Sequence, residues 1–314
     1  SQPVTPVGRN ALAEAATPSD DEGGQGGAVT NSIVAEDLRF AYGDTLAVDG
    51  VDVRVEPGRT LGFLGPNGAG KSTTIKMLTG QLVPDSGRVE ILGMTMPAQR
   101  TAIQGRIGVC FEEKNLYLAM TGEENLRFFA RLFGMRGFDP APLLERVGLG
   151  DRGGDRVSEY SKGMRQRLMM ARTLVNAPDV LFLDEPTDGL DPVSARMIRD
   201  LIRAEAARGA AVLLTTHDMM EADQLSDQVA FINEGRILTL DTPERLKLTY
   251  GTRSVRIRTQ GTAQQVDEQV IPLDGDGAAA IQQALAEGEV LTIHSEEATL
   301  EDIFVHFAGR GLDA

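Results

Sequence analysis

Hydrophobic and polar positions fall into three patterns along this chain. From Ile33 to Pro57 the two kinds alternate, as in Val51-Asp52-Val53-Arg54-Val55, and the stretch closes on Glu56-Pro57-Gly58. A period of two sends successive side chains to opposite faces, so this stretch predicts an antiparallel layer of half-buried strands. The second pattern is the short continuous apolar run, seen at Thr60–Leu64, between Asp179 and Asp184, and at Ala211–Thr216. Runs of that length fit strands of a parallel sheet covered on both faces. The third is the segment Glu123–Phe133, whose apolar residues recur on one face and predict a helix with most of its stripe in the core.

Beyond Arg236 the elements are smaller. Thr242-Pro243-Glu244-Arg245-Leu246 starts a helix, Ser254–Thr259 alternates like a half-buried strand, Ile281–Leu285 predicts a helix and Val290–Ile293 a strand. Thr299–Phe304 predicts a last, capped helix. Residues 246–314 are therefore expected to form a small α+β accessory domain, and they carry no chemical motif. Residues 1–30, rich in Ala, Gly, Pro and Ser and including the aperiodic run Asp20–Gly27, are expected to be a disordered tail.

Chemistry appears where these patterns meet. The run Gly65-Pro66-Asn67-Gly68-Ala69-Gly70-Lys71-Ser72-Thr73 fits G-x-x-x-x-G-K-[ST] and lies between the apolar run Thr60–Leu64 and the opening of a helix. Its glycines let backbone N–H groups turn toward phosphate oxygens, Lys71 brings a point charge to the β- and γ-phosphates, and the Ser72 hydroxyl suits Mg²⁺. An ordinary glycine-rich turn is the competing reading, and the flanking strand and helix weigh against it.

Downstream, the apolar run through Leu183 ends in Asp184-Glu185. Two carboxylates at the carboxyl end of a parallel strand stand beside the phosphates, with Asp184 placed for Mg²⁺ and Glu185 for polarising a water. Between the two motifs, Tyr160-Ser161-Lys162-Gly163-Met164 opens a helical pattern with Ser161 as its N-cap. Taken alone, that segment reads more simply as a plain capped helix.

Together and in order, these motifs resemble the ATP-binding subunits of ABC transporters, and the segment Ser161–Met164 resembles the signature of the ABC-2 export branch. The resemblance is tight over residues 32–245 and looser to about 308. It implies a P-loop NTPase (RecA-like) α/β core with an antiparallel β layer, together forming an ATP-binding domain over 31–245. Within it a helical signature subdomain spans about 114–175, and the α+β extension follows. It further implies that Tyr42 stacks on adenine and that Asp191, in Gly189-Leu190-Asp191-Pro192, belongs to the D-loop. His217 becomes the switch residue at the γ-phosphate, and Ser161, Lys162, Gly163 and Met164 contact ATP held by a second subunit.

That second subunit would be another copy of this chain, as the preferred reading, or a related chain. A separate integral membrane subunit would provide the pore, docking on a groove near Asn115–Glu124 and placing the protein at the cytoplasmic face of the membrane. One departure stands out: Glu112 replaces the usual Gln, keeping an Mg²⁺-binding oxygen but losing the amide donor.

Composition narrows the alternatives. In 314 residues with 41% hydrophobic content, no apolar run approaches the roughly 18 residues of a membrane span, so any pore is expected from another chain. The single cysteine, Cys110, excludes an internal disulfide and a cysteine-cluster metal site, and its apolar surroundings suggest a small buried hydrophobe. A net charge of −15 gives no basic footprint for a general nucleic-acid partner. A non-transport ABC ATPase acting on nucleic acid or ribosomes is the runner-up, weakened by the lone phosphate loop and by the absence of a heptad run between Lys71 and Ser161. A small-molecule kinase is disfavoured by the signature and by the pairing of Glu185 with His217. ATP hydrolysis driving export is the expected function, and the cargo is set mainly by the membrane subunit.

Overall fold

The computed structural model describes residues 31–111, 115–251, 254–260, 266–273, 275–286, 289–296 and 298–310. Glu112 and the N-terminal tail lie outside them. The alternating segment forms β1 (Ile33–Tyr42) and β2 (Thr45–Val55), paired antiparallel and joined by a tight turn at Gly43. β3 (Thr60–Leu64) is buried along its whole length and leads through the glycine-rich loop into α1 (Lys71–Leu78). β4 (Ser86–Ile91) and β5 (Met94–Met96) complete a four-stranded antiparallel sheet in the order β2-β1-β4-β5. The short α2 (Arg100–Gln104) then returns the chain to β6 (Ile107–Cys110).

Three helices follow: α3 (Gly122–Leu132), α4 (Ala141–Arg146) and α5 (Lys162–Thr173). A reciprocal capping box fixes the start of α3, with Glu124 N–H donating to the Thr121 hydroxyl and Thr121 N–H to the Glu124 carboxylate. Only part of the α3 stripe is core. Leu126 and Ala130 are fully buried, whereas Leu132 and Phe133 are 66% and 41% exposed. Periodicity registers apolar positions without saying which neighbour covers them, so a surface groove and a core stripe read alike.

From α5 the chain enters β7 (Val180–Asp184), α6 (Pro192–Ala207), β8 (Ala211–Thr216), α7 (Met219–Leu225), β9 (Gln228–Asn233), β10 (Arg236–Asp241) and α8 (Pro243–Tyr250). The second sheet runs β10-β9-β3-β8-β7-β6, parallel except at the β10 edge. Its inner strands are continuous runs of Val, Leu and Phe because both faces are covered. One face packs on the antiparallel layer through Phe63, Phe182 and Ile75. The other packs on the helices through Leu181, Leu168 and Met169, with Cys110 buried among them. This architecture puts the carboxyl ends of β3, β7 and β8 side by side.

The C-terminal segment adds β11 (Ser254–Gln260), β12 (Val266–Pro272), α9 (Gly277–Ala286), β13 (Glu289–Glu296) and α10 (Leu300–Arg310). Its three strands form a sheet in the order β12-β11-β13 against α9. The polar run Asp267-Glu268-Gln269 gave β12 no apolar alternation by which to expect it. α10 does not stay with that small sheet. Leu300 and Ile303 join Leu64, Val229 and Phe231 in one buried cluster, and the Phe304 ring meets Phe231 edge to face at 5.5 Å.

Candidate active site

The phosphate loop is held in place by backbone approach. Gly70 sits at φ 104°, in the left-handed region, and a Cβ there would lie 2.5 Å from the Ala47 carbonyl oxygen of β2. Gly70 also N-caps α1 without a side chain, so the first-turn N–H groups remain directed into the loop. Pro66, Asn67 and Gly68 form the exposed tip, Gly65 and Ala69 are buried, and Ser72 and Thr73 stand half-buried at the helix start. Lys71 folds back over its own loop. Its Nζ donates to the Gly65 carbonyl at 2.6 Å and to the Pro66 carbonyl at 3.4 Å, and lies 3.5 Å from Glu185 Oε1.

The carboxylates arrive at the carboxyl end of β7, one strand in from the β6 edge of the sheet. Asp184 is buried and accepts a 2.5 Å hydrogen bond from the Thr215 hydroxyl of β8. Glu185 leaves the strand at φ 48°, a strained conformation for a residue with a side chain, and its N–H is held by the Thr215 carbonyl at 3.1 Å. That turn aims the Glu185 carboxylate between Lys71 and His217. Oε2 lies 2.9 Å from His217 Nδ1 and accepts from the His217 backbone N–H at 3.4 Å. Oε1 is buried and has no hydrogen-bond donor. A buried acceptor left open between a lysine and a histidine is suited to a polar group brought by a ligand, water included.

The donor set fits Mg²⁺. Among the described residues no cluster of three His, Cys, Asp or Glu side chains could cage a metal. Mg²⁺ is commonly held by one or two protein oxygens together with substrate phosphates, and Ser72 and Asp184 offer such a pair. Glu112, expected as a further ligand, lies outside the described residues.

The start of α5 and the loop before α6 pack as one unit. The Ser161 hydroxyl accepts from Met164 N–H at 3.2 Å, which makes Ser161 the N-cap of α5. Gly163 is buried against α6, and a Cβ on it would sit 2.6 Å from Ser194 Oγ and 3.2 Å from Asp191 Oδ2. Asp191 N-caps α6 by accepting from Ser194 N–H at 2.9 Å and Val193 N–H at 3.0 Å. Hydrogen bonding from Ser194 holds the Asp191 carboxyl below its usual range. Ser161 and Lys162 are exposed, and Met164 is half-buried. Among the described residues no hydrogen bond or ion pair joins residues 161–164 to residues 65–73. Tyr42, at the end of β1, is 51% exposed and meets Phe40 edge-on at 4.9 Å, which leaves a ring face open.

Two residues that motif spacing did not single out tie these parts together. Gln166 is buried and donates to the Pro186 carbonyl at 2.9 Å, linking α5 to the turn after Glu185. Glu221, buried on α7, accepts a 2.5 Å hydrogen bond from the Thr187 hydroxyl. Each lies beside other polar residues in its own helix, Gln166 between Arg165 and Arg167 and Glu221 just before Asp223 and Gln224, so no local pattern marked either one as buried.

Comparisons with known proteins agree on one family. Residues 48–188 match the family model described as ABC transporter. A fluoroquinolones export ATP-binding protein from Mycobacterium tuberculosis is 45% identical over 90% of this chain and 95% of its own length. The Nod factor export ATP-binding protein I of Paraburkholderia xenovorans is 43% identical over 68% of this chain and 72% of its own. Among solved structures, one described as the ATP binding subunit of an ABC transporter superposes with a TM-score of 0.65 at 28% identity, covering 70% of this chain and 93% of that one.

Proposed function

Because the chain belongs to the ATP-binding proteins of ABC transporters, we propose that it binds and hydrolyses ATP to drive export of a substrate through a separate membrane subunit. The observation that carries the chemistry is the Glu185 carboxylate set between Lys71 Nζ and His217 Nδ1. The export direction rests on relatives similar along most of the chain and named for export.

In this reading the triphosphate lies on the N–H groups of residues 65–73, with Lys71 beside the β- and γ-phosphates and adenine on Tyr42. Mg²⁺, held by Ser72 and Asp184, would neutralise charge on the phosphate oxygens. Glu185 takes a proton as a water oxygen bonds to the γ-phosphorus and the bond to the β-phosphate oxygen breaks. His217 orients Glu185 from one side and reaches the γ-phosphate. Ser161, Lys162, Gly163 and Met164 meet the nucleotide of a second copy of the chain, with Asp191 at the junction, so closure depends on ATP.

Among the described residues no helix is long and apolar enough to cross a membrane. In this reading the chain works at the cytoplasmic face, docked on the membrane subunit, as its likeness to export ATP-binding proteins suggests. The dock is a groove of about 280 Å³ between the sheet and the helical subdomain, lined by Gln104, Phe129, Phe133 and Arg172. Exposed Leu132 and Met135 continue its rim, and Tyr117, whose ring lies 6.1 Å from Phe129, flanks it. A short apolar helical segment fits such a surface.

Affinity purification of the tagged chain from its native membranes should recover an integral membrane protein; recovery of ribosomes or nucleic acid instead would contradict the reading. Phe133→Asp places a charge in the dock and is expected to lower that recovery about tenfold or more, the cost of an unpaired desolvated carboxylate. Recovery equal to wild type would remove the groove from the interface.

A further inference from the structure

Glu221 is 2% exposed, on a surface helix that could have presented it to water. Its position spans the two segments that carry the reacting groups. The Thr187 hydroxyl, two residues after Glu185, donates to Glu221 Oε1 at 2.5 Å. Thr216, one residue before His217, faces the same carboxyl and stabilises its charged form. Asp218, the N-cap of α7, accepts from Glu221 N–H at 3.1 Å and so fixes the helix turn that carries the side chain.

We infer that Glu221 is a positioning residue for hydrolysis, a latch that clamps the Pro186–Asp188 turn to the start of the switch helix and thereby sets His217 against Glu185. The geometry requires some such device. Glu185 is strained at φ 48°, and His217 is held to it by one side-chain hydrogen bond and a long backbone contact. Strained functional residues persist only when their surroundings over-determine them. Glu221 adds a fixed point to those that Thr215 and Gln166 supply, because its carboxyl holds the turn after the base to the helix that follows the histidine.

The cost of the arrangement argues for its use. Burial pushes the Glu221 carboxyl above its usual range, and neighbouring Asp218 adds to that, against the opposing pull of Thr187, Thr216 and Arg199. An apolar residue at this helix position would pack without that cost. The Thr187 contact also lies on the path to the D-loop. His217 Nε2 is 3.9 Å from Asp188 Oδ1, and Asp191 follows three residues later, so the latch couples the hydrolytic pair to the segment that faces the second subunit.

The inference rests on Glu185 and His217 being the hydrolytic pair, and the test separates the two. Steady-state ATPase of the full chain with its membrane subunit is measured for Thr187→Val, Thr187→Ser, Glu221→Ala, Glu221→Gln and the double variant Thr187→Val/Glu221→Ala. Misplacement of a reacting group by about an ångström costs up to about a hundredfold. Thr187→Val and Glu221→Ala should each lower kcat by about tenfold to a hundredfold with KM for ATP unchanged. Thr187→Ser and Glu221→Gln, which keep the hydroxyl and an acceptor oxygen, should recover most of it. The double variant should be no worse than the poorer single one, because both remove the same link. Wild-type kcat in Thr187→Val, or losses that multiply in the double variant, would overturn the latch. If Glu221→Ala does not fold, the Thr187 pair decides alone. Turnover persisting in Glu185→Gln would instead overturn the underlying assignment.

Discussion

Replacing Glu185 with Gln stops ATP turnover, lowering kcat by a hundredfold or more, about the contribution of a positioned general base, and leaves ATP binding intact. The substitution is close to isosteric. An amide at Oε2 still meets His217, and Lys71 keeps its bonds to the Gly65 and Pro66 carbonyls, so the phosphate loop is unchanged. What is lost is the carboxylate's basicity at the open Oε1 position, because an amide does not take a proton from water in either orientation. The measurement is steady-state phosphate release beside equilibrium binding of a fluorescent ATP analogue. Unchanged release would remove Glu185 from the role of base.

The second large effect is the opposite in kind. Lys71→Ala is expected to weaken ATP binding by about ten- to a hundredfold, the value of one charge-assisted hydrogen bond at roughly 1.5–3 kcal/mol. Turnover falls with it. Lys71 is buried at the base of its loop, where a neighbouring charge is screened less than at the surface. Lys71→Arg would not restore the site, because a planar fork cannot take the place of a compact ammonium bonded to Gly65 O. Titration with ATP and Mg²⁺ gives the affinity directly, and a wild-type value would contradict the assigned phosphate contact. Between them, the two variants separate binding from chemistry.

The grouping of residues in the proposed hydrolytic centre was legible in the sequence because such chemistry demands rare residue types at fixed places along strands and helix starts. Lys71, Asp184, Glu185 and His217 each follow a run whose period identified the element, and parallel strands bring their carboxyl ends together. Ser161 was legible as an N-cap for the same local reason. The supporting bonds were not. Gln166 to Pro186 and Glu221 to Thr187 join residues on different elements, and each polar side chain looks unremarkable within its own helix. The proposed docking groove was hidden by the ambiguity of periodicity, since Leu126 and Phe133 share one apolar pattern while only Leu126 is buried. The C-terminal helix, foreseen as part of a separate appendage, meets Phe231 behind the phosphate-loop strand through contacts that no local pattern encodes.

In the proposed mechanism the phosphate loop and signature helix, joined by no hydrogen bond or ion pair among the described residues of one chain, complete each other across two subunits. Sedimentation of Glu185→Gln with saturating ATP and Mg²⁺ tests this most directly, because the variant keeps the nucleotide that closes the pair. The account predicts a species of twice the chain mass that forms only with ATP and is lost when Ser161→Arg is added. A monomer at saturating ATP, or a dimer indifferent to both ATP and Ser161→Arg, would contradict it.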